Sequence, residues 1–365
     1  MRGWHKIEIH ARRQKKVQKY QCKDCRHWFS FSPKTFKGFR YSKNSIFNAI
    51  KKIVVSRNSL SIANEDLGIS KPSLVHWLNL LGENAFTPMQ LARKLKPCWK
   101  GILGVDGFWF KMAGEKRAGL IAQDLKTRDV PNWEYAEGET SLDYKILFLT
   151  LQEMNYPFRG VVSDRNAQII RWRKRLLPEI PHQYCCIHFL RDVGTKLHYV
   201  SIRSKLRGKS KEQKNIILQE FGDVLRFRKK IHAILFARTE KMARYRLKLL
   251  VEHGRWLNST MKSFVADLLK EADHYLIHFS VPGLPRTNNI AELTIKHIRK
   301  RLKLIEGFQS DETAENFLKL FIHSLRMRKV TSAKKKHQML NYKAPLQNAV
   351  PELSIRDWLR FCQRR

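Results

Sequence analysis

The chain has 365 residues, 43% of them hydrophobic, with nine Trp and twenty Phe, enough for one large domain and one or two small ones around a true core. Lys and Arg number 71 against 32 Asp and Glu, a formal net charge of +39 spread from the first segment to the last, which implies a polyanionic partner and first of all nucleic acid. The basic N-terminus lacks an apolar h-region and the sequence has no run of about eighteen apolar residues, so the expectation is a cytoplasmic, nucleoid-associated protein with no membrane partner.

Residues 1–38 are polar and basic and carry Cys22-Lys-Asp-Cys25, which reads as half of a zinc ribbon; a closed zinc site needs four ligands, and a Cys-x-x-Cys pair supplies two. His5 and His10 have a tolerable spacing to complete the set, but the more economical expectation is a partial ribbon whose first knuckle is missing. Residues 39–96 turn helical. Ile46, Phe47, Ile50, Ile53 and Val54 recur at the spacing of one buried helix face. Gly68, Ser70 and Pro72 then supply a tight turn, an N-cap and a first-turn proline, the signature of a helix-turn-helix. Leu74, Val75 and Leu78 would pack inward, leaving Lys71, Ser73, His76 and Asn79 to face a DNA major groove.

Past Pro97 the period changes to strand. Gly101–Phe110, Arg117–Asp124 and Trp133–Ala136 read as neighbouring strands. Leu142–Met154 reads as a helix, Phe158–Ser163 as a short buried strand, Ala167–Leu177 as a helix and Gln183–Ile187 as another strand. Strands followed by strand-helix alternation predict a mixed α/β core, with residues 97–199 as its first part. Long basic helices over 200–283 form a helical insertion, 284–330 returns to the core, and 331–365, with Lys334-Lys-Lys336, reads as a basic tail.

Three acidic residues occupy costly settings. Asp106 interrupts an apolar strand, Asp164 ends the buried run Gly160-Val-Val-Ser163, and Glu292 opens a helix dense in Lys and Arg. Buried carboxylates require cationic compensation. Divalent metal ions facing a phosphate backbone would provide it, because hard oxygen ligands suit Mg²⁺. Taken singly, Asp106 also reads as a strand-end cap and Asp164 as an N-cap. Glu292 is more informative: Ala291, Ile295, Ile298, Leu302 and Ile305 form an apolar stripe, while Glu292, Lys296, Arg299 and Lys303 line an adjacent face able to hold successive phosphates, and Thr287-Asn288-Asn289 offers an N-cap. Asp124, Asp129, Glu134, Glu137, Glu139 and Asp143 stay open as helper ligands. No Gly-x-Ser-x-Gly elbow or Gly-x4-Gly-Lys-Ser/Thr loop occurs.

Assembled, these segments resemble the DDE transposases of prokaryotic insertion sequences, in particular the mutator-like group. The resemblance rests on Gly104-Val-Asp106-Gly, Val162-Ser-Asp164-Arg-Asn, Cys185-Cys-Ile-His188 and Arg286-Thr-Asn-Asn-Ile-Ala-Glu292, and spans residues 20 to 330. It implies a ribonuclease-H-like catalytic core with a helical insertion, and Asp106, Asp164 and Glu292 as catalytic acids with His188 as their neighbour. Cys185 and Cys186 read equally as small buried strand residues. Trp256, beside Arg255, reads as a core residue or a base-stacking platform.

The expected chemistry is two-metal phosphoryl transfer with two Mg²⁺ and Mn²⁺ as a substitute, and zinc is expected at Cys22 and Cys25 rather than at Cys185 and His188, where two further ligands are not apparent. The expected partners are double-stranded DNA, as element terminal repeats and target, and further copies of the chain in a dimer or larger synaptic assembly. A non-catalytic DNA-binding regulator and a nuclease that cuts without joining are the alternatives.

Overall fold

The computed structural model describes residues 4–12, 15–22, 28–30, 41–56, 59–305, 307–331, 338 and 341–364, the first three stretches as backbone. β1 (Trp4–Arg12), β2 (Lys15–Cys22) and β3 (Trp28–Ser30) form an antiparallel sheet in that order, with Trp4 opposite Cys22. Sequence reading assigned no strand here, because the polar and basic composition of the segment outweighed its alternation. Cys25 lies outside the described residues, and with it the zinc-ribbon expectation.

α1 (Lys43–Val55), α2 (Leu60–Leu67) and α3 (Lys71–Asn84) each start at a serine, Ser42, Ser59 and Ser70, whose side chain accepts a first-turn N–H. Gly68 closes α2 in the left-handed region (φ 60°), a conformation that costs glycine little. Asn64 Nδ2 donates to Ile69 O across that turn at 2.8 Å. Ile46, Phe47, Ile50 and Ile53 pack with Leu74, Trp77, Leu78 and Leu81. α4 (Pro88–Leu95) follows with a capping box at Thr87 and Gln90.

The helical unit is not a separate bead. Its core is continuous with Phe108 and Phe110 of the central sheet and with Ile295, Ile298, Phe317 and Phe321 of two later helices. One of these, α14 below, lies along α3. That corrects the placement of Asn79, whose Nδ2 donates to Thr313 Oγ1 at 3.1 Å. Gly82 meets Asn316 of the same helix where a Cβ would not fit.

The core sheet comprises β4 (Ile102–Met112), β5 (Glu115–Asp124), β6 (Asn132–Ala136), β7 (Gly160–Ser163) and β8 (His182–Tyr184) in the order β6-β5-β4-β7-β8. The first three run antiparallel; β7 and β8 are parallel to β4 and to each other. An antiparallel meander continued by two parallel strands is the ribonuclease-H-like arrangement, the mixed α/β fold expected from the sequence. α5 (Ser141–Glu153) and α6 (Ala167–Leu176) cover one face, burying Tyr144, Leu147, Phe148 and Ile169 against Leu103, Val105 and Val161.

β8 ends at Tyr184, three residues before the predicted strand end. Cys185 is the N-cap residue of α7 (Cys186–Lys196), so both cysteines belong to a helix start rather than a strand. The chain then leaves the sheet for α8 (Tyr199–Lys205), α9 (Lys211–Leu235), α10 (Glu240–Glu252), α11 (Ser259–Lys270) and α12 (Ala272–Leu276). These helices close a second core of Phe189, Phe227, Ile231, Leu247, Phe264, Leu268 and Tyr275. Trp256 packs against it, with the Arg226 guanidinium 4.6 Å from its ring centre. α13 (Asn289–Leu302) and α14 (Asp311–Met327) return to the other face of the sheet.

Residues 341–364 are not a solvated tail. α15 (Pro345–Ala349) and α16 (Trp358–Phe361) bury Leu346, Ala349, Leu359 and Cys362, and the backbone N–H of Cys98 and of Phe86 donate to Ala349 O and Cys362 O. Lys334–Lys336 lie outside the described residues. Among the described residues no helix is long and apolar enough to cross a membrane.

One buried ion pair joins the sheet to α14. Arg326 Nε and Nη2 donate to Asp129 at 2.8 and 2.9 Å, and Trp99 Nε1 donates to the same carboxylate at 3.0 Å. Arg326→Met would leave that charge unpaired in the interior and should lower stability by about 3–5 kcal/mol, read from the urea midpoint; an unchanged midpoint would contradict this role.

Candidate active site

Two of the expected acids are set side by side by strand pairing. β4 and β7 run parallel with Gly104 opposite Val162. Asp106 and Asp164 each follow that last pair by two residues, within reach of each other's charge. Asp106 Oδ1 accepts the Gly107 N–H at 2.9 Å, and Asp164 Oδ1 accepts the Asn166 N–H at 3.0 Å. Asp164 therefore precedes the helix cap; Asn166 is the N-cap residue of α6, through its own side chain.

Glu292 reaches this end of the sheet because α13 is fastened to β4. Asn288 Nδ2 donates to Val105 O at 3.0 Å, and its backbone N–H donates to Cys185 Sγ at 3.3 Å. The side chain that sequence reading offered as a helix cap thus ties two elements together instead, and makes no capping bond. Gly104 permits the approach, since a Cβ there would overlap Asn288 Oδ1. Further along, Arg299 Nη2 donates to Gly107 O at 3.3 Å. Cys186 N–H donates to Arg286 O at 3.0 Å, which fixes the start of α7 beside the start of α13.

The electrostatics register the convergence. The Asp106 carboxyl is pushed up from 3.8 to about 7, chiefly by burial, then by repulsion from Asp164 and, after the opposing Gly107 N–H, from Glu292, with Arg299 acting against them. Asp106 thus lies within reach of the charges of both Asp164 and Glu292.

Glu292 itself is turned toward α7. Its Oε2 accepts from Arg191 Nη2 at 3.0 Å, and its Oε1 lies 3.5 Å from His188 Nδ1. Cys185, His188 and Glu292 each offer one ligand atom, all within 4.8 Å of one another. His188 is therefore adjacent to Glu292.

Sequence reading did not separate Glu139 from the other loop acids. It is packed over Gly107, where a Cβ would overlap Glu139 Oε1, and its Oε2 accepts from Tyr144 Oη at 3.2 Å and Asn166 Nδ2 at 3.1 Å. Burial, followed by effects that include repulsion from Asp164, raises its carboxyl pKa. The remaining candidates are structural. Asp124 accepts the N–H groups of Gly101 and Thr127 and the Tyr156 hydroxyl, Asp129 holds Arg326, and Asp143 completes the capping box of α5. Glu134 accepts from Asn132 Nδ2 at 3.0 Å, and burial pushes it up to about 7. Glu137 is exposed.

Among the expected phosphate and groove contacts, Lys296, Arg299 and Lys303 are exposed along α13, and Lys71 and His76 are exposed on α3. Ser73 shares a 2.9 Å hydrogen bond with Ser70 in the cap of α3, and Asn79 is occupied by α14.

No known protein-family model matches the chain, and no curated protein does. Among solved structures it is similar to a Drosophila P element transposase strand transfer complex, at 12% identity over 79% of this chain and 93% of that one, with a TM-score of 0.42. It is also similar to a simian T-cell lymphotropic virus intasome in complex with PP2A regulatory subunit B56 gamma, at 11% identity over 52% and 69%, with a TM-score of 0.21. The fold assignment rests on strand order and sense rather than on these likenesses.

Crowding of the acids has a measurable cost. Folded, Asp106 holds its proton to about pH 7, whereas the ordinary carboxyl releases it near 3.8, so the stability from this group is full below about pH 4 and lost as pH rises through about 7. In the absence of divalent cations Asp106→Asn should therefore be more stable than the parent at pH 8, by about 2 kcal/mol or more, with the difference shrinking at pH 5. Equal denaturation midpoints at both pH values would show that the acids do not crowd.

Proposed function

We propose that the protein is a DDE transposase, of the mutator-like insertion-sequence group, that cleaves DNA strands at element ends and joins them to target DNA. The reading is supported by one observation: Asp106, two residues past the last β4–β7 pair, feels the charges of Asp164 and of Glu292, whose helix α13 is tied to β4 through Asn288. Cations held by these carboxylates would relieve that repulsion, and an all-oxygen donor set suits Mg²⁺, with Mn²⁺ as a substitute. Bound there, divalent metal would lower the pKa of an attacking water or 3′-hydroxyl and neutralise the leaving oxygen.

The chain's own residues do the rest. Asp106, Asp164 and Glu292 would hold the metal. Arg299, hydrogen-bonded to Gly107 O and exposed, holds a strand phosphate beside the acids, and Lys296 and Lys303 hold its neighbours. His188 and Arg191 orient Glu292 from α7. Lys71 and His76 on α3 belong to the helix-turn-helix reading of terminal repeats, in which Ser73 contributes as a cap. Two element ends must be held together, so the working form is a dimer or larger assembly. The net charge of +39 agrees with a double-stranded DNA partner and with binding that weakens steeply as salt rises.

The test is cleavage and strand transfer on element-end DNA with Mg²⁺. Asp106→Asn and Glu292→Gln should each lose about 100-fold or more of both activities while keeping DNA affinity. Parent-like cutting by either variant would overturn the assignment. Sequence-specific binding by a parent that never cuts would leave a DNA-binding regulator, and cutting of precleaved-end substrates without joining would leave a nuclease.

A further inference from the structure

Beside the carboxylate pair lies a second donor set of different chemistry. Cys185 Sγ, one His188 ring nitrogen and one Glu292 carboxylate oxygen lie within 4.8 Å of one another. His188 Nδ1 and Glu292 Oε1 face each other at 3.5 Å, both buried, and neither has an aligned hydrogen-bond partner among the described residues. Glu292 Oε2, by contrast, is satisfied by Arg191 at 3.0 Å, so Oε1 is the oxygen left for another partner. Cys185 is the N-cap residue of α7, its sulfur accepts the Asn288 N–H at 3.3 Å, and burial raises its thiol pKa against the pull of neighbouring amides.

We infer that Cys185, His188 and Glu292 form a site for a borderline-soft divalent cation of the zinc class, distinct from the all-oxygen carboxylate site and sharing Glu292 with it. Sulfur, nitrogen and a single oxygen form a donor set that zinc and cobalt accept readily and magnesium does not. Three protein ligands leave one position of a tetrahedral ion for water or a DNA oxygen. The spacing also explains why Glu292 faces α7 and not only Asp106. With the site filled, Glu292 is withdrawn from the carboxylate pair, so zinc-class metal would hold the protein in a non-cutting state. That consequence rests on the proposed strand-cleavage reading; the site itself does not.

The measurement is cobalt(II) titration of the full chain, made in a Cys22→Ser/Cys25→Ser background so that the N-terminal pair cannot contribute. A thiolate-to-cobalt charge-transfer absorption should appear at one equivalent, persist in millimolar Mg²⁺ and vanish in Cys185→Ser, where serine suits the helix N-cap. His188→Ala, at a partly exposed side chain, should weaken cobalt affinity by at least about tenfold, the lower end of what loss of even a supporting partner costs a metal site. Circular dichroism of each variant separates loss of the ligand from loss of the fold. Absence of the band in the background protein, or its survival in Cys185→Ser, would overturn the inference. A protein that binds cobalt in this way but never cuts DNA removes the proposed function and leaves the site standing.

Discussion

Everything at this site depends on a short stretch of parallel pairing. Only Ile102, Leu103 and Gly104 of the long strand β4 pair with β7, through Gly160, Val161 and Val162. The hydrogen bonds end there, and the two acids stand immediately beyond them. Had the register slipped by one residue, every side chain of β7 would change faces and the pair would be lost. The hydrophobic burial of Val161 against α5 and α6, and of Val162 against Leu284 and Ala291, holds that register from both faces of the sheet.

The third acid is brought in by a polar clamp. Asn288 joins Val105 of β4 to Cys185 at the head of α7, so that the Glu-bearing helix, the central strand and α7 meet at one buried residue. Such an arrangement is costly in its metal-free form, as the upward displacement of Asp106 records. The surrounding protein accommodates it with charge of opposite sign: Arg299 on one side of Gly107, and Arg191 at Glu292. Glu139 adds to the anionic load from the loop before α5, braced by Tyr144 and Asn166.

Much of this was legible before any coordinates. The alternation in β4 and β5 and the apolar stripe of α13 are strong because one face of each is buried, and an acid inside such a pattern stands out. What was missed depends on partners distant in sequence. Asn79 looks solvent-facing on an isolated helix and is instead taken by Thr313, more than two hundred residues away. The strand expected over Gln183–Ile187 stops at Tyr184, since the apolar run continues into a helix start that periodicity cannot distinguish from a strand end. Glu139 had no signal separating it from its neighbours, because loop position says nothing of which acid the chain folds inward. The N-terminal strands escaped notice since the segment is polar and basic, and the short alternation Ile7, Ile9, Ala11 is all that marks β1. The C-terminal segment was taken for a tail because its apolar residues come in pieces too short to show a period.

The central claim is geometric: Asp106, Asp164 and Glu292 share divalent metal. The most direct measurement is anomalous diffraction from crystals of the protein grown with Mn²⁺. The account predicts manganese density between the carboxyl oxygens of Asp106 and Asp164, with Glu292 among the ligands. Ordered crystals at saturating Mn²⁺ with no peak at that end of the sheet, or with the peak held by other residues, would contradict it.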